Sequence, residues 1–178
     1  MKGLIIFASY YGSSKRYAKE LSNRLSFDLI EYNKLNNTDD YSTIIYVGGL
    51  YAVGILGLKD VINKRLINFD RQKVVIASVG LSDPLSEENV DNINKELDKL
   101  IEKKYDDIVK RYYLRGSIDY KRLSIKHKIM MKALFLKVNK IPKDQRTKEN
   151  IEFLETFDST VDFVDFNTLN AIVDFIKK

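Results

Sequence analysis

The sequence has no cysteine and a single histidine, and these two shortages exclude several kinds of chemistry. Without cysteine the chain has no disulfide, no thiolate nucleophile and no cysteine metal site. A Ser-His-Asp triad would have to use His127, which lies among lysines in a segment that we expect to be exposed at the surface. Acidic pairs such as Asp39 and Asp40 are typical of solvated surfaces. We therefore predict no metal site and name no catalytic residue.

Long hydrophobic runs are also missing, since no apolar stretch reaches the roughly 18 residues that a membrane-spanning helix needs. The chain enters an apolar segment at once, so we expect no secretory signal, and the lack of cysteine favours a cytoplasmic protein. The net charge of +5 is a mild excess, and we predict no nucleic-acid partner. A chain of 178 residues, 44% of them hydrophobic, predicts a single domain over residues 1–178.

A loop that carries hydroxyls and a glycine follows the first strand-like segment. Residues 3–8 are typical of a strand buried on both faces, and residues 16–25 have apolar side chains at helical spacing. Backbone N–H groups, hydroxyls and a helix dipole at such a loop favour a phosphate. An ordinary turn with a serine as N-cap explains the pattern equally well. The residues of the loop are Ser9, Tyr10, Tyr11, Gly12, Ser13, Ser14 and Lys15.

Strand-like and helix-like segments alternate along the rest of the chain. The alternation predicts a parallel sheet covered by helices on both faces, with ligands bound beyond the carboxyl ends of its strands. The last predicted helix has Asp165 or Asn167 available as its cap. The predicted strands are residues 27–32 at an edge, 41–49, 73–80 and 108–117; the predicted helices are residues 55–67, a long helix from 86 and residues 165–176.

Two further loops with glycines follow predicted strands and should meet the first loop at that edge of the sheet. Glycine lets the backbone lie close to a flat ligand, and Tyr51 can stack on a ring. The alternative is that the glycines only end the strands and that Tyr51 covers the sheet edge. The residues of these two loops are Gly49, Leu50, Tyr51, Ala52, Val53 and Gly54, and then Ser78, Val79, Gly80 and Leu81.

The first loop resembles the phosphate loop of the flavodoxin family, in which a Thr/Ser-x-Thr-Gly-x-Thr pattern holds the terminal phosphate of FMN. Ser9, Gly12 and Ser14 match this pattern, whereas Tyr11 replaces the usual threonine. The resemblance implies a flavodoxin-like three-layer α/β fold with a five-stranded parallel sheet. It also implies FMN as the cofactor, with the other two loops on the two sides of its isoalloxazine ring.

Residues 115–148 form a basic insertion near the fifth predicted strand, and residues 115–136 contain almost no acid. A basic amphipathic helix here can lie on an anionic membrane or bind a partner. Alternatively, its apolar face packs on the sheet and its lysines are simply solvated. The side chains that predict the broad apolar face are Ile125, Ile129, Met130, Ala133, Leu134 and Val138.

The basic insertion and the sequence at residues 161–166 are similar to the menaquinone-dependent protoporphyrinogen IX dehydrogenase branch of flavodoxin-like proteins. That resemblance implies an FMN protein that takes electrons from a porphyrinogen and passes them to a quinone at a membrane. We expect a redox partner protein or a quinone, and peripheral contact with the inner face of the membrane through residues 115–136.

Three classes of function remain open from the sequence. The first is an FMN oxidoreductase of this kind, the second a flavodoxin-type electron carrier, and the third a flavin-free binding module. Carriers of this type tend to be acidic, so the basic balance favours the first class. Tyr11 is the only feature that favours the third.

Overall fold

The structure, a computed structural model, describes residues 2–51 and 54–178. Strands and helices alternate through most of this range, as the sequence predicts. In chain order the elements are β1 (Gly3–Ala8), α1 (Ser13–Leu25), β2 (Asp28–Glu31), β3 (Thr43–Tyr51), β4 (Gly54–Ile55), α2 (Leu58–Asn63), β5 (Lys73–Gly80), α3 (Glu87–Asp98), β6 (Lys110–Arg115), β7 (Ser117–Asp119), α4 (Ile125–Asn139), α5 (Lys148–Thr156), β8 (Thr160–Asp162) and α6 (Asn170–Lys177).

Five parallel strands form the central sheet in the order β2-β1-β3-β5-β6, and the short β4 pairs antiparallel with the end of β3. The predicted α/β fold with five parallel strands, and β2 at an edge, is confirmed. Ala8 pairs with Gly48, Gly48 with Ser78, and Gly80 with Arg115. The carboxyl ends of β1, β3, β5 and β6 are therefore level at one edge of the sheet.

Helices cover both faces of the sheet because its strands alternate side chains between two cores. In β1, Leu4 and Ile6 enter the core beneath α2 and α3, while Ile5 and Phe7 enter the core beneath α1 and α6. Burial on both faces explains why the central strands are almost continuously apolar. The chain thus crosses from one face to the other between α1 and α2.

The predicted helix over residues 55–67 is wrong in its bounds, because α2 contains only Leu58–Asn63. Ile55 instead pairs with Leu50 in the turn-back of β3 onto β4. Gly57 has a φ of 72°, a left-handed conformation that favours glycine and separates this hairpin from the helix. Of the apolar residues that have helical spacing here, Ile55 belongs to β4, and only those from Leu58 onward belong to the helix.

Smaller differences concern the ends of elements. Helix α1 begins at Ser13, three residues before the predicted start, so the end of the first loop is its first turn. The predicted strand over residues 108–117 is two strands, β6 and β7, on either side of Gly116. The last helix begins as a 3₁₀ turn, Phe166–Leu169, in which the Asp165 side chain accepts from the backbone N–H of Asn167.

The basic insertion, residues 115–148, contains β7 and α4, and α5 follows it; both helices lie beside the antiparallel pair of β7 and β8. The predicted apolar face of α4 is mostly wrong, since Val138 is buried but Ile125, Ile129, Met130 and Leu134 are exposed. The inward side carries His127, Met131, Phe135 and Val138 at spacings of four, four and three residues. Within the described residues, no helix is long and apolar enough to span a bilayer.

Tyr17 of α1 is hydrogen-bonded to two chain segments, one before α4 and one after α5 in the sequence. Its buried hydroxyl donates to the backbone oxygen of Arg115 at 2.8 Å and accepts from the N–H of Asp165 at 3.0 Å. Tyr17→Phe should lower the free energy of unfolding by about 1–3 kcal/mol, because both backbone groups lose their partner in a buried place.

Urea unfolding measures this change, and Tyr112→Phe is the matched control. The Tyr112 hydroxyl makes one exposed bond, to the oxygen of Ala171 at 3.2 Å. Its loss should therefore cost clearly less than the loss of the Tyr17 hydroxyl. Equal effects of the two changes would contradict a linking role for Tyr17.

Candidate functional site

A cavity of about 590 Å³ lies at the carboxyl edge of the sheet, where the loops after β1, β3 and β5 meet. Ten of the predicted site residues line it, and they come from all three loops. The three loops that the sequence singles out therefore meet at one cavity. These ten residues are Ser9, Tyr11, Ser13, Ser14, Gly49, Leu50, Tyr51, Val79, Gly80 and Leu81.

The other predicted site residues do not line this cavity. Ser78 is buried and its hydroxyl donates to the oxygen of Tyr112 at 3.4 Å, within the sheet. Gly54 lines a more open pocket of about 660 Å³ against α3, which contains none of the first loop. Tyr10, Gly12 and Lys15 lie outside the lining of the cavity. Ala52 and Val53 lie outside the described residues.

The first loop forms a tight turn that leaves the start of α1 open. Gly12 is the N-cap residue with a φ of 101°, and its N–H donates to the Ser9 hydroxyl at 2.9 Å. A side chain at this position would be strained, and the space beside it is open. No side chain caps the helix, and no acidic residue stands in its first turn. Its first N–H groups are thus available to an anion.

The two buried serines at the start of α1 have different roles. Ser13 is bound within the protein, since its hydroxyl bonds the Ser117 hydroxyl at 2.8 Å and accepts from the Ser117 N–H at 2.9 Å. Ser14 is 1% exposed, lines the cavity and makes no hydrogen bond through its hydroxyl to any residue that the structure describes. Neither serine is the N-cap. Ser14 is the hydroxyl that remains for a ligand.

Tyr11 connects the first loop to the basic insertion. Its hydroxyl forms a hydrogen bond with Nδ1 of His127, 116 residues away, and accepts from the N–H of Ser124 at 3.2 Å. The prediction that His127 is an exposed surface residue is wrong, because its ring is half-buried and lines the cavity. The spacing of Met131 and Val138 after His127 is the sequence signal that could have located this histidine on the inward side of the helix.

Aromatic rings form one wall of the cavity. The rings of Tyr51 and His127 are stacked, with centroids 5.7 Å apart and planes at 16°, and Tyr10 meets the Tyr51 ring edge-on. Burial raises the pKa of Tyr51 to about 12, so its phenol stays neutral at physiological pH. A side chain at Gly49 would collide with the Tyr51 ring, which explains the glycine. Tyr51 lines the cavity, and its predicted stacking on a ligand ring stays a prediction.

The rest of the cavity is lined by residues of the basic insertion and of the segment that follows it up to Phe163, which the sequence analysis did not predict. Arg115 holds this wall in place by donating to the oxygen of Leu81, through Nε at 3.2 Å, and to the Glu152 carboxylate at 3.0 Å. Its guanidinium also lies 3.7 Å from the centre of the Phe163 ring. The apolar residues of the wall are Ile118, Tyr120, Leu123, Met130, Met131, Leu134, Val138, Phe153, Val161 and Phe163.

The strand order defines a doubly wound α/β domain. At the carboxyl edge of its sheet, the loop before α1 leaves the first N–H groups of the helix free to bind an anion such as phosphate. A family model described as a flavodoxin domain matches residues 4–146. The chain therefore belongs to the flavodoxin-domain family, and this membership implies a flavin cofactor.

Three solved structures are similar to this chain. A candidate flavoprotein from Bacteroides uniformis is 17% identical over 65% of this chain and 90% of its own, with a TM-score of 0.47. A flavodoxin from the domain Archaea is 10% identical over 88% and 98%, with a TM-score of 0.42. A candidate flavoprotein from Bacteroides eggerthii is 12% identical over 74% and 96%, with a TM-score of 0.45. No curated protein sequence matches the chain.

The residues present fit a flavin with a terminal phosphate. The hydroxyl of Ser14 and the first N–H groups of α1 suit the phosphate, and the open space beside Gly12 admits it. Tyr51 and the backbone around Gly49 and Gly80 offer flat contacts for a ring at the other end of the cavity.

The contact between Tyr11 and the insertion can be tested by hydrogen exchange. Tyr11→Phe removes the hydroxyl that binds His127 and Ser124, a loss of about 1 kcal/mol. Amide exchange at the start of α4 should then become roughly fivefold faster, because local opening is easier. Tyr10→Phe is the control, since the Tyr10 hydroxyl bonds no residue that the structure describes. Unchanged exchange in Tyr11→Phe would contradict the contact.

Proposed function

We propose that the protein is an FMN-dependent oxidoreductase that exchanges electrons with an apolar, ring-shaped substrate. The observation that supports this proposal best is the continuity of the cavity, which runs from the phosphate-type loop to an apolar wall made by α4 and α5. In such a cavity a second apolar molecule would lie against the apolar wall, beside a bound flavin ring.

FMN is favoured over a flavin without phosphate by the start of α1. Ser14 places a buried hydroxyl in the cavity, and the helix dipole adds positive potential where no acidic side chain opposes it. Riboflavin would leave these groups without an ionic partner. FMN would therefore be the tighter ligand.

The insertion distinguishes this protein from a simple electron carrier. A carrier passes electrons to a docked protein and needs an accessible flavin edge, whereas α4 and α5 cover the cavity here. Val138, Met131 and Phe153 give its outer half an apolar surface that excludes water. An apolar quinone fits this chemistry as an electron acceptor, and the resemblance of the insertion favours a porphyrinogen as donor.

Bound FMN would supply the electron exchange itself. The residues of the chain would bind the cofactor, orient it and keep water from its ring. Tyr51 would pack against the ring as a neutral aromatic face. His127, held by the Tyr11 hydroxyl, would fix α4 over the ring end of the cavity.

The cofactor is tested by titrating the apo-protein with FMN and following the quenching of flavin fluorescence. Ser14→Ala should weaken FMN binding roughly tenfold or more, because a hydrogen bond to a charged group contributes about 1.5–3 kcal/mol. Riboflavin should bind wild type and variant equally. Ser42→Ala, at the opposite edge of the sheet, is the matched control.

Two results would overturn this assignment. Absence of binding at high micromolar FMN would leave the flavin-free module as the better explanation. An equal loss of riboflavin and FMN affinity in Ser14→Ala would mean that the phosphate is bound elsewhere.

The substrate is tested by reoxidation of the reduced protein in solution without membranes. Leu134→Glu puts a carboxylate on the apolar wall, so reoxidation by a water-soluble naphthoquinone should slow about tenfold or more. Reoxidation by ferricyanide, which is small and hydrophilic, should change little.

Leu136→Glu makes the same substitution on the outer side of α4 and should leave both rates unchanged. If Leu134→Glu and Leu136→Glu react alike with the quinone, the cavity does not hold the acceptor, and the carrier function becomes the better proposal.

A further inference from the structure

Helix α4 has apolar side chains on two opposite sides. Its inward side lines the cavity, whereas Ile125, Ile129 and Leu136 point away from the protein and are 79%, 64% and 52% exposed. At 1.5 Å of rise per residue, this outward stripe is roughly 16 Å long. An apolar stripe of this length at the surface of a folded protein indicates a contact.

The charged residues of α4 and of the chain on either side of it are all basic. Residues 120–143 contain eight basic residues and no acid, while the rest of the chain has 22 basic and 25 acidic residues. The positive charge of the protein thus belongs to this one segment. At helical spacing, Lys128 and Lys132 lie along one border of the stripe, and Lys126 and Lys137 lie along the other. All four are exposed, and none forms a salt bridge with the described part of the chain.

We infer that the outward face of α4 lies on an anionic lipid bilayer. Aliphatic side chains bordered on both sides by lysines match the boundary between acyl chains and negative headgroups, where lysines keep their charge in water. The cores of protein interfaces are instead enriched in aromatic residues and arginine and depleted in lysine. The stripe contains no aromatic residue and no arginine, so a bilayer suits it better than an acidic protein.

The same helix connects this face to the cavity, which deepens the proposed function and rests on it. Met130 and Leu134 line the cavity and are also 38% and 43% exposed, so they lie between the two apolar sides of α4. An apolar substrate dissolved in the bilayer would pass these two side chains and reach the cavity without crossing water. The substrate class is therefore a lipid-soluble redox molecule.

Flotation with vesicles tests the membrane face, using full-length protein loaded with FMN. Wild type should float with vesicles of phosphatidylglycerol and phosphatidylcholine at low salt, and much less with phosphatidylcholine alone. Each lysine near an anionic surface contributes about fivefold to partition. Changing Lys126, Lys128, Lys132 and Lys137 to Gln should lower partition more than about tenfold, and Ile129→Ser with Leu136→Ser should do the same while keeping the charge.

Two control variants match these changes elsewhere on the chain. Lys19, Lys59, Lys64 and Lys103 changed to Gln remove the same charge, and Ile108→Ser removes an exposed aliphatic side chain far from α4. Both controls should float like wild type. Every variant should keep its thermal stability and its FMN affinity, which separates this test from the test of cofactor binding.

The inference fails if wild type does not float with anionic vesicles, if the serine variant floats like wild type, or if the control lysines matter as much as those of α4. Binding that an acidic protein competes for, but that anionic vesicles do not support, would identify a protein partner and overturn the bilayer. If wild type does not bind FMN, the proposed function is contradicted, but the flotation of the protein with anionic vesicles still supports the membrane face.

Discussion

The position of β1 between β2 and β3 is the constraint on which the rest of the structure depends. Because β1 has a neighbour on each side, α1 returns over one face of the sheet and α2 over the other. The two helices diverge at the carboxyl ends of β1 and β3 and leave a crevice there. The open start of α1 and the carboxyl end of β3 both face this crevice. The cavity is thus a result of strand order before any side chain is considered.

The sequence predicted the parts of the fold that depend on local pattern. The strands β1 and β5 have the predicted bounds because their apolar runs are buried on both faces. The loops after β1, β3 and β5 meet at one edge of the sheet because these strands are parallel. It failed where tertiary contacts decide the outcome. Ile55 pairs with Leu50 instead of joining a helix, and the hydrogen bond between Tyr11 and His127 joins residues 116 positions apart, which no local pattern reveals.

The role of Tyr11 is interpreted differently from the sequence and from the structure. In the sequence it is a departure from the phosphate-loop pattern and counts against a flavin. In the structure its hydroxyl bonds His127, which also lines the cavity, and accepts from the N–H of Ser124. A threonine hydroxyl is too close to the backbone to make this connection. The departure therefore accompanies the insertion and need not weaken the loop itself.

The antiparallel pairing of β7 with β8 holds together the two ends of the segment that contains α4 and α5. Ser117 lies opposite Asp162, so the chain leaves the domain and returns to it at neighbouring points. The segment between them can change in length at a cost that grows only slowly with the number of residues, because its ends are already together. The strand order of the central sheet does not depend on the segment between β7 and β8. The outer helices could therefore be lengthened or removed without changing the strand order of the sheet, although the cavity would then lose the wall that they supply.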